Sequence, residues 1–273
     1  YALARGRPVD LLPFEEVRRR LNLSRVVDRG IAEVPLASIV GSVGRGPEFN
    51  RAFLPREGAS RERWEDVQGL VDEKGFPPVE LYAAGGVYFV LDGHHRVSVA
   101  RAEGAESIEA HVREFATPVA LSGDESLEEV VLKAARASFL EITGLVPDVG
   151  APLEATEALS YERLLDHIAV HGYFRGLETG QDVCGPDAAA SWLARVYRPT
   201  VALIRESGLL EDFPGRTETD LYLAVMEHLH YLRERTAGRV SPSRAVRHFM
   251  LRGRADRRPR SRLAQLFWKL RGR

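Results

Sequence analysis

One cysteine, Cys184, stands in a chain of 273 residues. A lone thiol cannot close an intrachain disulfide, and a zinc site built from cysteines is excluded. Long apolar runs are also missing: nothing approaches the roughly 20 residues that a spanning helix needs. No secretory leader is read in the sequence, and no internal repeat. These absences lead to the expectation of a cytoplasmic protein. What is present is ordinary for a globular chain, with 44% hydrophobic and 28% charged residues. The length allows one large domain or two modest ones, each with a real core.

Net charge is −1, but the average hides a split. Residues 239–273 hold twelve Arg or Lys against one acid, Asp256, a charge of +11. The other 238 residues carry −12. Such asymmetry points to a basic tail that seeks an anionic surface or folds onto its own acidic body.

The first half alternates helical and strand patterns. A short helix is expected over 13–21 and strands over 31–36 and 39–43, followed by the Gly/Pro-rich loop GSVGRGPEFNRAF. Helical periodicity returns over 60–74, with Ser60 as N-cap. Two strands follow over 79–83 and 87–91, joined by a link, Ala84-Gly85-Gly86, suited to a hairpin. A helix over 94–103 should end at Gly104, and 107–112 alternates as a strand. Beyond Pro118 strand signals vanish. Helices are expected over 126–142, 161–174, 187–207, 217–236, 241–251 and 263–270, with Pro199 ending or kinking the third. A boundary is placed near 117–123.

The chemistry concentrates in YFVLDGHHRVSVA, residues 88–100. The first turn of a helix leaves amide donors outside its own ladder, and the dipole adds partial positive charge there. A phosphate against the amides of His94, His95 and Arg96 would meet both. Gly93 removes the side chain that would obstruct it and permits the sharp turn. Arg96 offers a fork of donors, and Asp92 is placed to hold Mg²⁺ or orient a hydroxyl. The bland reading is an Asp that caps a helix and an Arg in a surface ion pair. In the preceding loop, Arg45 and Arg51 are within reach of phosphates, although the loop is equally readable as a plain connection. Glu80 either lines the pocket or faces water.

These pieces carry a resemblance. VPLASI, GSVGRGPEF, FPPVELY, YFVLDGHHRVSVARAEG and IEAHV together resemble the ParB/sulfiredoxin superfamily, also called the ParB-like nuclease domain, over about 85 residues (31–114). The resemblance implies an α+β fold: a ParB/sulfiredoxin-like N-terminal domain with a small mixed sheet, followed here by an all-α C-terminal domain. It also implies a nucleotide phosphate chain at the strand–helix turn, with CTP, ATP or ADP as ligand and Mg²⁺ as companion. Gly93, His95 and Arg96 match the superfamily's Gly-x-His-Arg, and Asp92 matches its kinase-like form. The sulfiredoxin cysteine is replaced by His94, which argues against that chemistry. The kinases' early-loop glutamate finds only a candidate in Glu48.

The functional expectation is therefore a nucleotide-binding protein that hydrolyses or transfers a phosphate. Asp92 is its metal or substrate ligand, and His94 or Glu48 its proton acceptor. Phosphoryl transfer asks mainly for positioning and charge neutralisation. The alternative is a DNA-associated regulator, partitioning or nuclease-type protein that uses nucleotide as a switch. A third reading is a binding module without turnover.

In the helical half, His167 and His171 stand i, i+4, a spacing that can present two imidazoles to one metal, but structural histidines are the favoured reading. LLEDFPGRTETDLYLAV resembles an actinobacterial domain of unknown function and brings no activity with it. Thr217 and Asp220 form a box-like pair at a helix start, with Arg216 free to reach the first domain. The expected domains are 1–118, 119–252 and a basic amphipathic tail, 253–273. In the tail, Arg254, Arg257, Arg258, Arg260 and Arg262 are candidates for nonspecific DNA contact. The apolar residues of 263–270 suit a membrane surface or partner equally. A homodimer is compatible with the apolar helix faces.

Overall fold

The computed structural model describes residues 9–56, 77–236 and 240–256. The helices expected over 60–74 and 263–270 lie outside the described residues, as do Arg257, Arg258, Arg260 and Arg262 and the side chain of Arg254. The chain divides into two compact units between Ala134 and Ala135. The architecture is α+β, with a six-stranded mixed sheet in the first unit and helices in the second. Among the described residues, no helix is long and apolar enough to cross a membrane.

In the first unit, β1 (Leu12–Pro13), α1 (Phe14–Arg20), β2 (Val26–Pro35), β3 (Ile39–Ser42), β4 (Val79–Ala84), β5 (Val87–Asp92), α2 (His94–Ala102) and β6 (Ser107–Phe115) follow one another. The spatial order is β1-β3-β5-β4-β6-β2. β3 runs parallel to both β1 and β5, and β4 parallel to β6, whereas β4–β5 and β2–β6 are antiparallel. The expected hairpin forms: Ala84 pairs with Val87, and Gly85 and Gly86 both take positive φ, +59° and +92°. That pair of left-handed residues matches the twist of the two strands.

Side-chain alternation gives each face of the sheet its own core. Leu81 and Val90 pack with Val97 and Ala100 of α2, alongside Phe49 and Phe53. Ala84, Val87 and Phe89 pack with Phe14 and Val17 of α1. Phe14 sits 4.8 Å from Tyr82 and 5.2 Å from both Phe89 and Phe115, ring centre to ring centre. The strand expected over 31–36 extends back to Val26, because β6 offers partners along its whole length, from Val26↔Phe115 to Pro35↔Ser107. Gly104 ends α2 as expected, with its amide on Arg101 O (3.2 Å) and the Ala105 amide on Ala100 O (3.0 Å). This is the paired C-terminal closure that a left-handed glycine allows.

Arg101, which the sequence reading passed over, ties this unit together. Its Nη1 donates to Arg51 O (3.1 Å), and its Nη2 donates to Leu36 O (2.6 Å) and Ile39 O (2.7 Å). The guanidinium stands 4.9 Å over the Phe53 ring. Burial, helped by nearby Arg51, pushes its pKa down to about 10, so it stays charged at neutral pH.

The second unit includes α4 (Leu159–Thr179), α5 (Gly185–Trp192), a π-helical turn (Leu193–Tyr197), α6 (Arg198–Glu206), α7 (Glu218–Thr236) and α8 (Pro242–Asp256). α3 (Leu127–Thr143) spans the division between the units. The helix expected over 187–207 is interrupted just before Pro199 by the π turn. Pro199 falls in the first turn of α6, where a missing amide costs nothing, and the π turn before it absorbs the irregularity. Thr217 and Asp220 form the expected box: each backbone amide donates to the other's side chain, at 2.9 and 3.2 Å.

Replacing Arg101 with Met leaves three carbonyls without their donor. We expect a loss of about 3 kcal/mol in urea unfolding. Arg20→Met breaks only a solvent-screened pair with Glu16 and should leave the unfolding midpoint nearly unchanged. Equal effects of the two changes would contradict the bracing role of Arg101.

Candidate functional site

β3 and β5 are parallel neighbours, so Ser42 and Asp92 end at the same border of the sheet. The carboxyl ends of parallel strands are where open α/β sheets place their ligands. The loop after β3 and the start of α2 meet there.

Gly93 makes the turn at φ +100°. A Cβ there would lie 2.6 Å from Val79 Cγ1 and 3.1 Å from Arg96 Cζ, so both conformation and space demand glycine. No side chain caps α2. Its ladder opens with the Val97 amide on Gly93 O (3.0 Å), so the amides of the first turn precede the ladder.

His94 turns inward and is only 3% exposed. A 2.7 Å hydrogen bond joins its Nε2 to Ser42 Oγ, which also accepts the Arg45 amide at 3.2 Å. The imidazole stacks on Phe49 at 5.7 Å. Burial above all, then Arg45 and His95, pushes its pKa down to about 4 against an opposing pull from Asp92. At neutral pH the ring is therefore uncharged, and it fastens the β3 end to the helix start. His95 packs edge-on against Phe49 at 5.3 Å.

The arginines divide. Arg96 spends its guanidinium on the protein: Nη1 donates to Pro77 O and Pro78 O (both 2.8 Å), and Nη2 to Asp92 Oδ2 (2.7 Å). Arg51 does the same, donating to Asp10 O (3.2 Å), Gly123 O (2.8 Å) and Glu125 O (3.1 Å). Burial lowers its pKa, partly offset by Asp124 and Glu125. Arg45 stays half exposed, with only a loose 3.9 Å pair to Glu48. Among the described residues, the helix start therefore keeps one accessible cation, Arg45, on the loop that Ser42 anchors.

Of the residues named from the sequence, the turn gathers Asp92, Gly93, His94, His95 and Arg96, with Arg45 and Glu48 on the adjoining loop. Glu80, the register partner of Asp92, stays partly open to water and pairs with Arg113 of β6 at 3.4 Å. Ser42 was missed. Its signal was a polar residue at the end of an apolar strand directly before a Gly-rich loop.

In the second unit, His167 Nδ1 meets Tyr222 Oη at 3.1 Å and His171 Nε2 meets Ser191 Oγ at 2.9 Å. Among the described residues no three His, Cys, Asp or Glu side chains converge as a metal site. Arg216, expected to be free, donates to Thr156 Oγ1 (2.9 Å) and Glu157 Oε1 (2.8 Å).

No family model matches the chain, and no curated protein does. Solved structures similar to it include one described as "Structure of the pNOB8-like ParB N-domain". That chain is 11% identical with a TM-score of 0.24, over 92% of this chain and 99% of that one. Another, "Structure of the C2221 form of Pnob8-like ParB-N domain", is 12% identical with a TM-score of 0.21, over 81% and 88%. At such scores the likeness carries no argument about the site.

His94 sets a pH dependence of stability. Its folded pKa lies below the unfolded value of 6.5, so the unfolded chain takes up the proton first as pH falls. The contribution is fully present above about pH 6.5 and is lost as pH falls towards 4. Over that window His94→Gln should remove a loss of about 3 kcal/mol from the stability curve. Parallel curves for the two proteins would show that His94 is not held neutral.

Proposed function

We propose that the chain binds a nucleotide through its phosphates, at the turn between β5 and α2. One observation supports the reading most strongly. The start of α2 lies at the carboxyl ends of two parallel strands, with no side chain capping it and a left-handed glycine making the turn into it. Backbone amides and the helix dipole supply the attraction, and the half-exposed Arg45 adds a side-chain charge. The likeness of DGHHR to the superfamily's Gly-x-His-Arg turn points from an anion in general to a nucleotide's phosphates.

The same geometry favours binding over turnover. His94 is a weak, buried base, and one oxygen of Asp92 is already held by Arg96. A single carboxylate in an ion pair is a poor magnesium site without further oxygen ligands.

Calorimetry with CTP, ATP, ADP and pyrophosphate, each with and without Mg²⁺, tests it. We expect at least one of these to bind and the matching nucleoside not to. Arg45→Ala should weaken binding about tenfold, the worth of one charged hydrogen bond. Absence of binding at high micromolar ligand, or a nucleoside binding as tightly as its nucleotide, would sink the proposal.

A further inference from the structure

The second unit contains a cleft of about 990 Å³ that the nucleotide reading does not use. That volume is at the upper end of the range for small-molecule sites. Three helical faces form it. Val170 and Phe174 come from α4, Val196 and Leu203 from the π turn and α6, and Met226 and Leu229 from α7. Pro242, at the start of α8, lines it too.

Several of its polar groups are held by the protein. Trp192 Nε1 donates to Tyr222 Oη at 3.0 Å, both residues being fully buried, and His167 meets the same hydroxyl. Burial lowers the pKa of both His167 and His171, so neither ring adds charge at neutral pH. An apolar wall with a small number of held polar groups is the usual composition of a ligand site.

Charge indicates which ligand fits. Three arginines line the cleft, Arg163, Arg195 and Arg233, against two carboxylates, Asp166 and Glu227. Arg163 is paired with Glu227 at 3.2 Å, and Arg233 donates to Val240 O. Arg195, on the π turn, has no hydrogen-bond or ion-pair partner among the described residues. It lies near His171, whose pKa it lowers, and its position on a widened turn is typical of functional π segments. Val170 and Phe174 remain 56% and 58% exposed at the rim, apolar surface that no part of the described unit covers.

We infer that this cleft binds a small amphipathic carboxylate, its apolar body between α4 and α6 and its carboxylate on Arg195. An amine is disfavoured because the excess charge of the lining is positive, three arginines against two carboxylates.

Calorimetry of the full chain with decanoate, decanol and decylamine, all below their micellar concentrations, tests this. Decanoate should bind saturably, decanol about tenfold more weakly and decylamine not measurably. Arg195→Gln should bring decanoate down to the decanol level and leave decanol unchanged. Val170→Trp, a rim change at an exposed position, should abolish binding of both. The inference is overturned if decanoate shows no saturable binding below millimolar concentration, or if decylamine binds equally well. It is also overturned if neither variant alters decanoate binding. Thermal melts establish that the variants fold, and the three-ligand comparison on the unaltered chain decides the matter if they do not.

Discussion

Carbonyls that leave the hydrogen-bond ladder of a sheet must find donors elsewhere, and much of the first unit follows from how they do so. Three arginines serve the purpose. Arg101 gathers the carbonyls of Leu36, Ile39 and Arg51; Arg51 gathers those of Asp10, Gly123 and Glu125; Arg96 gathers those of Pro77 and Pro78. A guanidinium suits the task because its five N–H groups spread in a rigid plane and can meet several acceptors at once. The consequence is a division of labour. Arg96 and Arg101 on α2 and Arg51 on the loop after β3 hold the backbone, whereas Arg45 stays half exposed.

Much of the fold was legible because periodicity reports burial. The strands expected over 79–83 and 87–91, the two glycines between them and Gly104 all translated into structure, each strand one residue longer than expected. The pairing order was not legible. Nothing in 26–35 announces that it joins β6 rather than β3, because that choice depends on which long-range partner completes the sheet. The π turn was equally hidden, as it reflects a compromise between neighbouring helices and Pro199.

The candidate site was legible as a place and less so as an inventory. Gly93 and the helix start follow from the motif itself. Arg96 and Arg51 looked like phosphate ligands because an arginine near a glycine turn reads the same whether its partner is a carbonyl or an anion. His94 looked accessible because two adjacent histidines on a helix give no sign of which one turns inward. Only the packing of Phe49 and the position of Ser42 settle that, and these come from the end of β3 and the loop after it, some fifty residues earlier.

Cys184 offers an experimental handle. It is exposed, and it sits at the cap of α5, the helix that ends in Trp192. Since the chain has no other thiol, one maleimide dye or nitroxide can be attached there without engineering away competitors. A label at the far end of α5 would follow movements of the helix that carries part of the cleft wall, in the unaltered protein and in real time.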